Sequence, residues 1–291
     1  MPDSIAMADA RSWHDASVLV CGASSQIGYF LLPELVQAGA RVLALSRQPQ
    51  VAATGVRWLQ GALRRPPESV DAAESVCSFA PLDALAAWIN SGAAPSLKRV
   101  VATSSMSAES KQMSPVAVER ELSRRLCDGE TGLVHACERR GIAWTILRPT
   151  LIYGAGRDRS LTPLARRAAR WRVFGLPAGS GLRQPVHAAD IATTVLRALE
   201  DGAAGHVIPI GGGERLPAAE MFRRVRASLP FATLPVAVPA WAIAGGTRML
   251  PPLRGPLTRL SQDLIADNAE IEHLLGVHPR GFRPDRACWG L

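Results

Sequence analysis

The stretch that most constrains this chain is Val18-Leu-Val-Cys-Gly22-Ala-Ser-Ser-Gln-Ile-Gly28. Its first residues are a short, continuous apolar run, as expected of a strand buried on both faces. Small residues follow at once, and then Ile27, Leu31, Leu32, Leu35 and Val36 recur at helical spacing. A buried strand that turns through glycine into an amphipathic helix is how α/β proteins build a phosphate site. The turn is tight, the backbone approaches the ligand closely, and the helix N-terminus offers free N–H groups to an anion. Gly22 and Gly28 stand as the first and last glycines of such a loop, and Ser25 takes the place of the middle one. A serine there narrows the room for a pyrophosphate and adds a hydroxyl. A purely structural strand–turn–helix shares the pattern, so the loop alone does not decide the ligand.

The rest of the chain alternates strands and helices. Strands are expected at Ala40–Arg47, Gly55–Leu59, Ser75–Pro81, Lys98–Ser105 and Gly141–Pro149, with helices at Leu82–Ile89 and from Ser114-Pro115 to Arg140. In the latter, Ser114 reads as the N-cap, and Val118, Leu122 and Leu126 read as its buried stripe. This rhythm predicts a Rossmann-type, doubly wound parallel sheet over residues 1–150. A smaller mixed lobe over 151–291 would bind substrate and return elements to the sheet. There, helices are expected at Leu161–Trp171, Ala189–Leu199 and Ala218–Leu229, and strands at Gln184–His187 and His206–Ile210. The Pro-, Leu-, Ala- and Trp-rich segment 229–262 reads as a hydrophobic lid or a surface that leans on a partner or membrane.

Composition narrows the function classes. The apolar fraction of 47% belongs to a globular chain, and no apolar run spans a bilayer. Residues 1–16 lack the apolar block of a secretory signal. The five cysteines form no metal-ligand spacing, so they read as reduced, mostly buried thiols of a cytoplasmic protein with no bound metal. The net charge of +8 lies almost wholly in the second half. The basic run Arg166–Arg172 looks like a solvated helix face and not a nucleic-acid site, so an anionic small substrate is the better expectation. At the end of the second strand, Ser46-Arg47 stands where an acidic residue would read an NAD ribose. Serine and arginine suit the 2′-phosphate of NADP, with NAD less favoured.

Taken together, Gly22–Gly28, Thr103-Ser104-Ser105, Leu147-Arg148-Pro149-Thr-Leu-Ile-Tyr153-Gly154, Arg183-Gln-Pro-Val-His-Ala-Ala-Asp190 and Leu275-Gly-Val-His-Pro-Arg-Gly-Phe282 resemble the extended short-chain dehydrogenase/reductases, the NAD(P)-dependent epimerases and dehydratases. The resemblance implies cofactor contacts from Gly22, Ser24, Ser25, Gln26, Ile27, Gly28, Ser46, Arg47, Ala80, Thr103 and Pro149. It also implies a catalytic Ser105, a substrate contact from Arg183, and a nucleotide-sugar-like ligand. Arg283 and Arg280 are weaker candidates for substrate contact of the same kind. A homodimer is plausible for such a protein.

Two departures touch the chemistry. The family uses a Tyr-x-x-x-Lys pair on the helix after the fifth strand, but residues 115–140 hold neither tyrosine nor lysine. Aligning Glu130 with the family's glutamate puts Leu122 and Leu126 at those positions. Ala62 stands where an adenine-contacting aspartate is common. Tyr153 is then the candidate proton donor, with Arg157 able to lower its pKa, and His187 is the other titratable group. Three readings remain open: an atypical oxidoreductase or epimerase, a catalytically inactive dinucleotide-binding sensor or assembly protein, and an interaction protein without nucleotide.

Overall fold

The computed structural model describes residues 16–200, 203–238, 260 and 262–291. The chain starts in the middle of a sheet with β1 (Ser17–Cys21), whose five residues are all buried. It passes through α1 (Gln26–Gln37) to β2 (Arg41–Ser46) and β3 (Val56–Gln60) on one side. Next come β4 (Ser75–Ser78), α2 (Leu82–Asn90), β5 (Arg99–Thr103), the short α3 (Ser107–Ser110), α4 (Ala117–Arg139) and β6 (Ala143–Pro149). The second half contributes β7 (Ile152–Tyr153), α5 (Thr162–Trp171), β8 (Val173–Pro177), β9 (Leu182–Arg183), β10 (Val186–His187) and α6 (Ala188–Ala198). It continues with β11 (His206–Ile210), β12 (Leu216–Pro217), α7 (Ala218–Ala227), β13 (Leu234–Val238) and a helix at Ala269–Leu275.

Seven strands form one parallel sheet in the order β11-β6-β5-β4-β1-β2-β3. Parallel strands need both faces covered, which is why β1 and β5 read as unbroken apolar runs. One face carries α1 and α6, with Val18, Leu31, Leu35, Ile191 and Val195 in a common core. On the other, α2 and α4 cover Leu19, Val76, Val100 and Ile146. Each such fully buried aliphatic side chain contributes roughly 1.5–3 kcal/mol before chain entropy is counted. The strand order reverses between β1 and β4, so the loops leaving these strands diverge and leave a crevice at the carboxyl edge.

The second half is stitched into this sheet. β11 pairs with β6 from His206↔Thr145 to Ile210↔Pro149. Arg99 Nη1 reaches the Leu199 carbonyl at 2.6 Å and Thr145 Oγ1 the Ala203 carbonyl at 2.7 Å. A smaller core gathers Tyr153, Leu161, Phe174, Met221, Phe282 and Trp289.

Three local expectations change. The stripe Val118–Leu122–Leu126 does not face the sheet: Val118 is 78% and Leu122 38% exposed. The buried face of α4 carries Glu119, Ser123, Glu130, Leu133, Ala136 and Cys137, because its polar members have partners underneath. Ser123 Oγ donates to Ala108 O at 2.6 Å, and Glu130 receives the Arg148 guanidinium. Next, α4 starts at Ala117 and not at Pro115; Ser114 Oγ instead accepts from Val116 N at 3.2 Å and donates to Glu119 at 2.7 Å. Finally, residues 234–238 form β13, parallel to β8. The remainder of the expected lid, 239–259 and 261, lies outside the described residues.

Candidate functional site

The loop after β1 is built as its sequence requires. Gly22 has φ +73°, and a Cβ there would sit 3.3 Å from the Phe79 backbone in the loop after β4. Gly28 lets α1 lie directly on the loop, since a Cβ on it would stand 2.1 Å from Ala23 O. Ser25, at the middle position, is the N-cap of α1: its Oγ accepts from Gly28 N at 3.2 Å. The hydroxyl is folded back onto the helix, so serine is accommodated without projecting into the crevice. Gln26 and Ile27 open the first helical turn, where N–H groups lack intrahelical acceptors. Gln26 Oε1 on α1 and Ser104 Oγ after β5 are buried with no hydrogen-bond partner among the described residues. A tight turn with no room for a Cβ at Gly22 or Gly28, closing on the free N–H groups of a helix N-terminus, fits a pyrophosphate-bearing cofactor.

Around this loop, Ala80 N bonds the buried Ser78 Oγ at 3.3 Å, Thr103 ends β5, and the Pro149 carbonyl accepts from Met106 N at 3.0 Å. Ser24 is exposed at the tip. At the end of β2, Ser46 is buried and its hydroxyl is engaged within its own turn. It donates to Gln48 O at 2.8 Å and accepts from Gln48 N at 3.2 Å. The expectation that Ser46 itself reads a 2′-phosphate therefore loses its free hydroxyl, whereas Arg47 stays exposed beside it.

Ser105 lies half-buried where β5 runs into α3. Its Oγ accepts from Ser107 N at 3.1 Å, which leaves the hydroxyl hydrogen free to donate to a bound carbonyl or alcohol. Tyr153 is less suited to the role expected of it. Its ring is 1% exposed and packs edge-on against His187, 5.0 Å away, and Phe282, 4.9 Å away. Burial pushes the phenol further above its ordinary pKa, and the hydroxyl meets the Arg283 backbone. Such a group holds its proton at neutral pH. His187 caps α6, with Nδ1 accepting from Ala189 N at 3.2 Å, and burial followed by Arg280 lowers its pKa. It is a neutral structural imidazole.

The substrate candidates separate. Arg183 is 5% exposed, and its Nη1 donates to Leu182 O and Gln262 O at 2.8 and 2.6 Å. It lines a cleft of about 490 Å³ shared by Ser107 and Ser110 of α3, Met221 and Phe222 of α7, and Leu264. Arg283 is exposed and faces a different depression, beside Gly213, Glu214 and Arg224, so the two arginines do not share a ligand. Arg280 is spent on Asp190: its N and Nε reach the carboxylate at 3.0 and 2.8 Å. Sequence reasoning overlooked two cations on the Arg183 cleft, Lys111 and Arg159. Lys111 also stands 3.8 Å from Glu119, and with only one other lysine in the chain its rarity was the available signal. Leu122 and Leu126 line a groove between α2 and α4 with Pro81 and Leu82. Neither can move a proton.

A parallel sheet whose strand order reverses beside a glycine turn that closes on a helix N-terminus defines the Rossmann-type α/β class. Within that class, residues 128–211 match the model of the NAD dependent epimerase/dehydratase family, the family that the sequence motifs resemble. No curated protein matches the chain by sequence. Among solved structures, MoeE5 in complex with UDP-glucuronic acid and NAD superposes with a TM-score of 0.73 at 19% identity, over 94% of this chain and 97% of that one. The UDP-N-acetylglucosamine 4-epimerase from Bacillus cereus gives 0.69 at 15% identity over 95% of both chains. The UDP-glucose 4-epimerase with UDP-glucose from Thermotoga maritima gives 0.70 at 16% identity, over 91% and 94%. These likenesses establish the Rossmann-type fold. Among the described residues no helix is long and apolar enough to cross a membrane.

Proposed function

We propose that this chain binds a nicotinamide dinucleotide in the crevice between β1 and β4 and acts as an atypical epimerase or oxidoreductase on an anionic, nucleotide-sugar-like substrate. The observation that carries the reading is the Gly22–Gly28 turn, in which Gly22 holds a positive φ, Ser25 caps α1 and Gly28 lets the helix lie directly on the loop. Gly22, Ser24, Ser25, Gln26, Ile27 and Gly28 would hold the pyrophosphate, and Ala80, Thr103 and Pro149 would wall the remainder. The nicotinamide ring, when bound, supplies hydride transfer. Ser105 would orient the reacting carbonyl or alcohol through its free O–H. The cleft with Lys111, Arg159 and Arg183 would take the anionic part of the substrate, which suits guanidinium and ammonium donors.

For the cofactor, NADP is our preference. The turn Ser46–Gln50 offers no carboxylate to a ribose 2′-hydroxyl, and Arg47 is exposed at its start, although MoeE5 among the structures named above carries NAD. Arg47→Asp should weaken NADP much more than NAD; equal weakening of both would remove Arg47 from the site. Ser105→Ala should lower turnover of a UDP-sugar while leaving cofactor affinity within about twofold, and unchanged turnover would exclude Ser105 from the chemistry.

A second reading, a dinucleotide-binding sensor without turnover, is favoured by one observation. Neither Leu122 nor Leu126 can ionise, and Tyr153 is locked in an aromatic cluster. Binding with no turnover of any UDP-sugar would select it. A homodimer through the outward apolar residues of α4 and the solvent side of α2 belongs to the same proposal, and sedimentation measures it directly.

A further inference from the structure

Arg157 was expected beside Tyr153, but the structure sends it elsewhere. Its Nη1 donates to Ser24 O, at the tip of the phosphate loop, at 2.8 Å, and its guanidinium lies 5.1 Å from the centre of the Tyr29 ring on α1. Residue 157 belongs to the second half of the chain, so this contact closes that half over the first across 133 positions.

The segment that delivers Arg157 is fixed on both sides. Gly154, Ala155 and Gly156 all have positive φ, at 110°, 57° and 61°. A Cβ on Gly154 would stand 2.8 Å from His187 Nε2, and one on Gly156 would stand 2.8 Å from the Trp289 and Gly290 backbone. Gly156 N donates to Cys288 O at 2.8 Å, and its carbonyl accepts from Arg166 at 2.8 Å. On the other side, the buried Asp158 carboxylate accepts from Ser160 N at 2.8 Å and Leu161 N at 2.6 Å. Holding an exposed arginine in this manner costs backbone strain at Ala155. Among the described residues, only one of its five N–H donors is engaged.

We infer that Arg157 is a pyrophosphate clamp: its remaining donors close on the cofactor's phosphate oxygens beside the α1 N-terminus. This deepens the dinucleotide reading and rests on it. A guanidinium fork held in place before binding by Ser24 O and the Tyr29 ring loses little freedom on engaging two phosphate oxygens. The clamp reads the diphosphate and not the adenine, so its removal should weaken NAD, NADP and ADP-ribose alike.

The test is calorimetric titration of the full chain with NAD, NADP and ADP-ribose, on the wild type and three variants. Arg157→Gln should raise the dissociation constants of all three about tenfold or more. Arg157→Lys, which keeps the charge but not the fork, should fall between. Arg167→Gln, an exposed arginine on α5, removes the same charge and should stay within about twofold of wild type. Far-ultraviolet circular dichroism shows whether each variant is folded, and if Arg157→Gln is not, Arg157→Lys carries the comparison. Dissociation constants for a folded Arg157 variant equal to those of Arg167→Gln would overturn the clamp while leaving the dinucleotide reading intact. No binding by the wild type would overturn that reading, and the clamp with it.

Discussion

Replacing Gly28 by alanine isolates what the turn demands of the sequence. A Cβ there would lie 2.1 Å from Ala23 O, 2.7 Å from Ala23 C and 2.9 Å from Ala23 Cα. All three neighbours are backbone, so no side chain can swing aside. Either α1 lifts from the loop or the loop shifts, and the packing of Ile27, Leu31 and Leu35 against Val18 and Val20 is disturbed with it. Overpacking a core typically costs about 1–3 kcal/mol, and a backbone collision belongs at or above the top of that range. A loss of about 3 kcal/mol would lower Tm by about 6–12 °C in a chain of this size. Gly132, on α4, is the matched control. A Cβ there meets only Ala86 Cβ at 4.0 Å, so Gly132→Ala should gain about 0.5–1 kcal/mol from helix propensity. Thermal and urea unfolding of both variants measure the difference. Equal Tm values for Gly28→Ala and wild type would refute the close approach of α1 to the loop.

Other predictions follow from the same geometry. Asp190→Ala leaves Arg280 N and Nε without their carboxylate in a part-buried site and should cost about 2–3 kcal/mol, read by urea unfolding. The folded state lowers the His187 pKa below its ordinary value, so the unfolded chain binds that proton more readily. Stability should therefore be fully present above about pH 6.5 and decline as pH falls from there through the folded-state pKa. His187→Asn keeps an N-cap acceptor and should flatten that part of the profile. Among the five thiols, burial raises Cys21 and Cys137 to about 12 and Cys288 to about 11, and pushes Cys77 higher still. Cys127 is part-exposed, so a thiol reagent at pH 8 should label one cysteine in the native protein and none in Cys127→Ser.

The sheet was legible because each strand carries its own signal. β1, β4 and β5 are short apolar runs between turn residues, and glycines at 22 and 28 fix how β1 must pass into α1. The buried face of α4 was not legible. Val118, Leu122 and Leu126 have the right spacing, yet the face turned inward carries Glu119, Ser123 and Glu130. Each of these is made acceptable by a partner from another segment, which periodicity cannot see. β8 and β13 escaped for a related reason: β8 begins directly after Arg172 in the left-handed region, and its partner lies about sixty residues on. Arg183 and the weaker candidate Arg283 were both expected at the substrate. Only the fold shows that one lines the cleft beside α3 and the other faces away from it.

The most direct test of the central claim is calorimetric titration of the unmodified chain with NADPH, NADP, NADH and NAD. The account predicts saturable one-to-one binding, tighter for the phosphate-bearing pair, abolished by widening the loop's side chains through Gly22→Val. Absence of heat with all four dinucleotides, from protein that unfolds cooperatively, would contradict it.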